Sequence, residues 1–217
     1  MTDEIKGVAR RRLESEGANL SLRAVARDMG MVSSALYRYF ASRDELLTAL
    51  ILDAYNALGE VVEAADASVA DRAALRDRWL AATRAVREWA LAHQAEYALI
   101  YGSPVPGYAA PADTIAAAAR TPVVLARILA DGFAGGVVSR PRLPVTLQEP
   151  VRSDLAQARD GVAPDLPEEL FLAGIASWVQ MFGIVSFELF GQFNNVIEAR
   201  AEFFDQQMRL MADLMGI

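Results

Sequence analysis

Tyr37, Arg38 and Tyr39 follow one another directly, with Ser33 and Ser34 shortly before them and Arg43 shortly after. Two hydroxyls on long rigid arms and a guanidinium can donate to phosphate oxygens, and an arginine fork also matches the O6/N7 edge of guanine. The two serines open a helical stretch, whose first turn adds hydroxyls and free backbone N–H groups suited to the same oxygens. Arg43 begins a further helix, where a cation opposes the helix dipole. A phosphate facing it would remove that conflict.

The elements that must position these groups are legible on either side. Counted from Leu22, Ala26 falls fifth, where two helices approach and only a small side chain fits. Gly30 falls ninth, at a turn where positive φ is cheap only for glycine. Val25, Met29, Met31 and Leu36 are apolar at positions that fill a small core between the helices. Ser21 is placed to cap the first helix. Ser42 and Glu45 form a capping box for the helix that follows. An ordinary helical hairpin would show the same small and apolar positions. Tyr37-Arg-Tyr39-Phe40 followed by Ser42-Arg-Asp-Glu-Leu-Leu47 favours a helix-turn-helix, in which the second helix enters the major groove.

The residues Ala24-Val-Ala26, Gly30, Leu36-Tyr-Arg-Tyr-Phe40 and Arg43-Asp-Glu-Leu-Leu47, at this spacing, resemble the TetR family of bacterial transcriptional regulators. The resemblance implies an all-α fold. A three-helix, helix-turn-helix DNA-binding domain would occupy residues 1–45, and a helical effector-binding and dimerisation domain residues 46–217. The implied partners are double-stranded DNA with a near-palindromic operator, a second copy of the chain and an unknown small-molecule effector. Carried over by position, Ser33, Ser34 and Ala35 would lie at the groove. Tyr37, Tyr39 and Arg43 would contact the phosphate backbone, Arg38 would lie near bases or backbone, and Arg23 joins the same DNA-binding set. Val32 stands where the family often has Ser or Thr, which leaves the helix start open by one residue. Later segments, Tyr97-Ala-Leu-Ile-Tyr-Gly-Ser-Pro-Val-Pro-Gly-Tyr108, Ala110-Pro111 and Phe182-Gly-Ile-Val-Ser-Phe-Glu-Leu-Phe-Gly191, resemble one branch of the family.

Composition narrows the alternatives. The chain has 217 residues, no cysteine and one histidine, His93. Disulfides, thiolate nucleophiles and cysteine-ligated metals are excluded, and no metal or cofactor is expected. Glu168 and Glu169 are adjacent and sit at a helix start, where acids simply favour the dipole; Ser33 and Ser34 have no nearby base. A small all-helical enzyme is therefore the weaker reading. An effector-independent DNA-binding dimer is another, separable by testing for ligand-dependent loss of DNA affinity. The net charge is −7, yet residues 1–45 hold eight basic residues against seven acids, and the remainder thirteen against twenty-one. An acidic remainder would repel DNA and favour one docking orientation. The segment Met1-Thr-Asp-Glu-Ile5 lacks the charged-then-apolar run of a signal peptide, so the expected compartment is the cytoplasm.

Hydrophobic periodicity predicts helices at 4–16, 22–29, 33–39, 43–65, 71–93, 94–102, 112–119, 121–135, 151–159, 167–191 and 195–215, with loops at 103–111, 136–150 and 161–167. The helix at 43–65 is long enough to begin against the DNA-binding unit and end in the second domain. The stretch Leu170–Phe187 is apolar all round, but Ser177, Gln180 and Ser186 and the absence of positive flanks argue for a buried helix and against a membrane span. Candidate effector-pocket residues are Trp89, His93, Tyr97, Tyr101, Phe133, Trp178 and Phe182, with Gln180 as a further polar group. The last two helices are the expected dimer interface, through Gly174, Ser177, Met181, Val185, Phe204, Met208 and Met211.

Overall fold

The computed structural model describes residues 1–17, 20–138 and 147–217, and every regular element among them is an α-helix. In chain order these are α1 (Thr2–Glu16), α2 (Leu22–Asp28), α3 (Ser33–Leu36), α4 (Arg43–Ser68), α5 (Leu75–Ala92), α6 (Gln94–Tyr101), α7 (Thr114–Ala118), α8 (Arg120–Ala134), α9 (Glu149–Val162), α10 (Glu168–Leu189) and α11 (Arg200–Met215). Much of the loop expected at 136–150 (residues 139–146) lies outside the described residues. Several expectations shift at their ends, two of them with a local cause. The helix expected at 33–39 closes after Leu36 into a turn, and the last helix begins at Arg200, because the chain first turns through left-handed Gly191 and Asn195.

The chain divides into two compact units, Met1–Gly59 with Trp89–Ala118, and Glu60–Glu88 with Ala119–Ile217. A boundary after residue 45 would cut α4, which is continuous. The segment 89–118 also joins the N-terminal unit, although it is remote in sequence.

In the first unit, Ile5 and Ala9 of α1, Val25 and Ala26 of α2, Leu36 of α3 and Leu46, Leu47 and Leu50 of α4 form one core. Each large aliphatic buried in this way stabilises the unit by about 1.5–3 kcal/mol. Ala26 is fully buried, as the close helix approach requires. Half of the capping box is formed as expected, Ser42 Oγ accepting from the Glu45 N–H at 3.1 Å, while the Glu45 carboxylate accepts at 2.6 Å from the N–H of Ala41, one residue before the cap. Ser21 departs from expectation. Its backbone is extended at the N-cap of α2, but its side chain makes no capping bond. From the remote segment, Val105 enters the core, and the Tyr108 hydroxyl lies 2.9 Å from Thr48 Oγ1 of α4.

The second unit packs α5, α8, α10 and α11 around Trp79, Ile128, Met181, Phe204 and Met208, all buried. Arg78, 1 % exposed, ties the unit together: Nε donates to Asp66 at 2.7 Å and Nη1 to Asp131 at 2.8 Å. A bidentate pair joins Arg87 to the buried Glu188, at 2.8 and 2.6 Å. Among the described residues, only α10 is long and apolar enough to cross a membrane, by length and composition. Its Leu170, Ala173, Met181 and Val185 face the interior of the unit.

Candidate functional site

The glycine turn sets the geometry of the first site. Gly30 has φ 65°; its N–H donates to the Arg27 carbonyl at 3.0 Å, and the next N–H, of Met31, to the Ala26 carbonyl at 2.9 Å. This is the paired closure of a helix by a left-handed residue. A Cβ at Gly30 would meet nothing within 4 Å, so backbone conformation alone selects glycine. The chain then enters α3 with Val32 at the cap position, extended and without a side-chain cap. The helix start left open by Val32 is thus at Ser33.

From α3 the side chains divide sharply. Leu36 is fully buried and Phe40 nearly so, which anchors the segment to the core. Between them Tyr37 is 45 % and Tyr39 42 % exposed, with Arg38 also exposed. Ser34 is exposed, Ser33 and Ala35 half-buried, and on α2 Arg23 and Arg27 face solvent. The structure thus presents Arg23, Ser34, Tyr37, Arg38 and Tyr39 outward beside the glycine turn. Arg43 is half-buried, and its Nε donates to the Leu20 carbonyl at 3.0 Å, with Asp44 at 3.6 Å from Nη1. Its place at a helix start therefore has a local explanation, with the carbonyl accepting from the cation. Arg12 pairs with Asp28 through two bonds of 2.6 and 2.9 Å, and the Arg12 hydrogen bond holds the Asp28 carboxyl below the usual range. Lys6 and Arg10 both pair with Asp53 of α4. These cations of α1 act as structural clamps.

The aromatic residues expected to line one pocket fall in both units. Trp89, His93, Tyr97 and Tyr101 belong to the first unit, where His93 stacks on Trp89 and its Nδ1 lies 2.9 Å from the Trp89 carbonyl. Tyr101 packs edge-on to Tyr55, and burial pushes both phenols up from their ordinary pKa. His93 is exposed, with one ring nitrogen engaged by the Trp89 carbonyl. Phe133 lines a polar cleft with Arg152, Arg159, Asp165 and Glu168 in the second unit. Trp178 lines a separate cavity of about 210 Å³ in that unit, and Phe182 packs edge-on to it. Gln180 bonds Gln207 at 3.3 Å.

The cavity is walled by Trp79 of α5, Leu125 and Leu129 of α8, Phe171, Gly174 and Trp178 of α10, and aliphatic side chains of α9. Trp79 lies within the helix expected at 71–93 and is not among the expected pocket residues. The usable signal was the apolar stripe Leu125, Ile128, Leu129 on α8, a wall that had to face something.

Several residues expected at a subunit interface are already covered within one chain. Ser177, Met181, Val185 and Met208 are 0 % exposed and Phe204 1 %, so they have no surface to give a partner. Gly174 lines the cavity, and Met211 is half-buried. The outward apolar residues of the two helices are Val179 (57 %) and Phe187 (51 %) on α10 and Leu210 (51 %) and Leu214 (38 %) on α11. Sequence alone could not choose between the two apolar sides of α10.

Two family models match the chain, and the second of them includes the segment 89–118 that joins the N-terminal unit. Residues 7–50 match the family model described as bacterial regulatory proteins, tetR family, and residues 79–211 match a tetracyclin repressor-like C-terminal domain. The HTH-type transcriptional regulators Rv1816 of Mycobacterium tuberculosis and Mb1846 of Mycobacterium bovis are each 40 % identical over 221 aligned residues, covering 98 % of this chain and 91 % of theirs. Among solved structures, the regulatory protein SCO4313 superposes with TM-score 0.79 at 34 % identity, covering 98 % of this chain and 95 % of that one. A tetR-family regulatory protein from Rhodococcus RHA1 shares the fold, with TM-score 0.68 at 16 % identity over 99 % of this chain and 96 % of that one.

Proposed function

The chain belongs to the tetR family of bacterial transcriptional regulators, and from that premise we propose that it is an effector-responsive repressor binding a near-palindromic operator as a homodimer. It is a regulator and not an enzyme. The observation that carries the DNA-binding reading is the alternation at α3: Leu36 and Phe40 are anchored inward, while Tyr37, Arg38 and Tyr39 face solvent beyond the glycine turn. In this reading α3 lies in the major groove with Ser33, Ser34 and Ala35 toward the bases. Tyr37, Tyr39 and Arg23 hold phosphates, and Arg38 reaches bases or backbone. Arg43 reaches a phosphate only with the part of its guanidinium turned away from Leu20.

The dimer face is proposed to be Val179, Phe187, Leu210 and Leu214, replacing the buried residues first considered. Two α3 segments would then sit about one helical turn of DNA apart, roughly 34 Å, or a multiple of it. The effector is proposed to bind in the second unit, at the cavity beside Trp178. Trp79, which borders that cavity, donates its indole N–H to the Met208 carbonyl of α11 at 2.9 Å. This bond supports a link from the cavity to a helix of the dimer face. A coupling of about 1–3 kcal/mol suffices to move operator affinity five- to hundredfold.

The test is selection from a random pool of duplex DNA by the purified protein. Recovery of a two-fold symmetric sequence, with affinity falling steeply as salt rises, supports the reading. Absence of affinity for any duplex at low ionic strength refutes it.

A further inference from the structure

The cavity between α5, α8, α9 and α10 carries information about its ligand, and the argument rests on the effector-site reading just given. Its volume, about 210 Å³, lies between the ~150 Å³ cavity that accepts benzene and the ~300–1,000 Å³ of sites for drug-sized molecules. It therefore fits one ring or a short chain. The side chains lining it are aliphatic or aromatic, and the polar side-chain atoms among them are two indole N–H groups. One is satisfied: Trp79 Nε1 donates to the Met208 carbonyl at 2.9 Å. The other, Trp178 Nε1, is buried without a hydrogen-bond partner among the described residues. A buried donor left unmatched is destabilising by about 1–3 kcal/mol, which an acceptor on a ligand would recover.

Charge argues against an ionised ligand. Among the described residues, no cationic side chain lines the cavity. The neighbouring polar cleft, which shares Leu166 with it, holds Arg152 and Arg159 against Asp165, Glu168 and Glu169. Both arginines form ion pairs, Arg152 with Glu149 and Glu168 and Arg159 with Asp160, although the buried Arg152 Nε has no hydrogen-bond partner among the described residues. A carboxylate would meet more negative than positive charge there and would lose its hydration in the cavity without compensation. Space is also allotted by Gly174, where a Cβ would lie 3.0 Å from Leu129 Cδ1.

We propose that the cavity bordered by Trp79 and Trp178 binds a small, uncharged, mostly hydrocarbon molecule of single-ring size that accepts one hydrogen bond, through a carbonyl or ether oxygen, from Trp178 Nε1. Trp178 is the specificity-determining residue and Leu125, Leu129 and Phe171 supply the apolar wall.

The experiment uses the full chain and three probes of one size: acetophenone, which has the acceptor; ethylbenzene, which lacks it; and benzoate, which is charged. Binding is read by tryptophan fluorescence and thermal shift in wild type, Trp178→Phe and Ala126→Leu, the last intended to fill the cavity. Acetophenone should bind wild type about tenfold more tightly than ethylbenzene, and benzoate should bind weakest. Trp178→Phe should erase the tenfold difference between acetophenone and ethylbenzene. Ala126→Leu should abolish binding of both. Equal affinity for acetophenone and ethylbenzene in wild type overturns the acceptor, and preference for benzoate overturns the neutral ligand. Undiminished binding to folded Ala126→Leu overturns the location. Should Ala126→Leu fail to fold, the Trp178→Phe comparison decides alone. Duplex selection is run in parallel on the same protein. Affinity for DNA without binding of acetophenone overturns this inference and spares the regulator, whereas acetophenone binding without affinity for any duplex does the reverse.

Discussion

Arg43 Nε donates to the Leu20 carbonyl across 3.0 Å, so the first turn of α4 is tied to the chain two residues before α2. A cation expected to contact the phosphate backbone thus also joins the start of α4 to the segment before α2. Arg43→Ala should lose both functions. Stability should fall by about 1.5–3 kcal/mol, the range for a hydrogen bond to a charged group, and the slope of log affinity against log salt should fall by about one per subunit. Urea melts and operator titrations at several salt concentrations separate the two. A reduced slope with unchanged stability would mean that the Leu20 contact is unimportant.

Tyr37 and Leu36 are neighbours with opposite exposure, 45 % against 0 %. Tyr37→Ala should weaken operator binding at least tenfold and leave the melting temperature within about 2 °C, since surface substitutions shift stability by about 0.5 kcal/mol or less. Leu36→Ala should instead destabilise the chain by about 2–5 kcal/mol through the cavity it leaves. Comparable melting temperatures for the two variants would contradict the orientation of α3.

At Gly30 the space is open and only φ is unusual. Gly30→Ala should therefore be destabilising by about 1 kcal/mol, the strain of a left-handed alanine. It should still bind operator in its folded fraction. Collapse of the fold would show that a steric contact also operates there.

Acid should act through paired carboxylates of the second unit. Burial works to raise the Asp66 pKa, but hydrogen bonds from Arg78 and Arg72 outweigh it and hold the carboxyl low. The hydrogen bond from Arg84 lowers Asp205, and that from Arg120 lowers Glu63. A depressed carboxylate contributes stability that is complete above its unfolded pKa, near 4, and is lost as pH falls through the folded value. Denaturation midpoints should hold between about pH 5 and 7 and drop below about pH 4, with a shallower drop in Asp205→Asn. An identical acid profile for that variant would remove the Arg84–Asp205 pair from the account.

For the dimer face, Val179→Glu places a charge on a side chain that is 57 % exposed in the single chain. Sedimentation should show a monomer of native helicity, and operator affinity should fall with it. A dimer that persists would locate the interface elsewhere.

The residue order by itself determined the local events: the glycine closure after Met29, the Ser42–Glu45 cap, and the inward Val25, Ala26 and Leu36. Each depends on groups within a few positions of one another, where spacing dictates geometry. Tertiary structure alone decided which apolar side of α10 is covered, because a helix apolar all round has no preferred face until its neighbours are placed. It likewise brought the segment 89–118, with Val105 and Tyr108, into the N-terminal core. It also settled which tryptophan keeps a free N–H: Trp79 meets the Met208 carbonyl, 129 positions away, while Trp178 meets none among the described residues. No local pattern records a hydrogen bond between groups so remote, since only the packing of α5 and α11 brings them within reach.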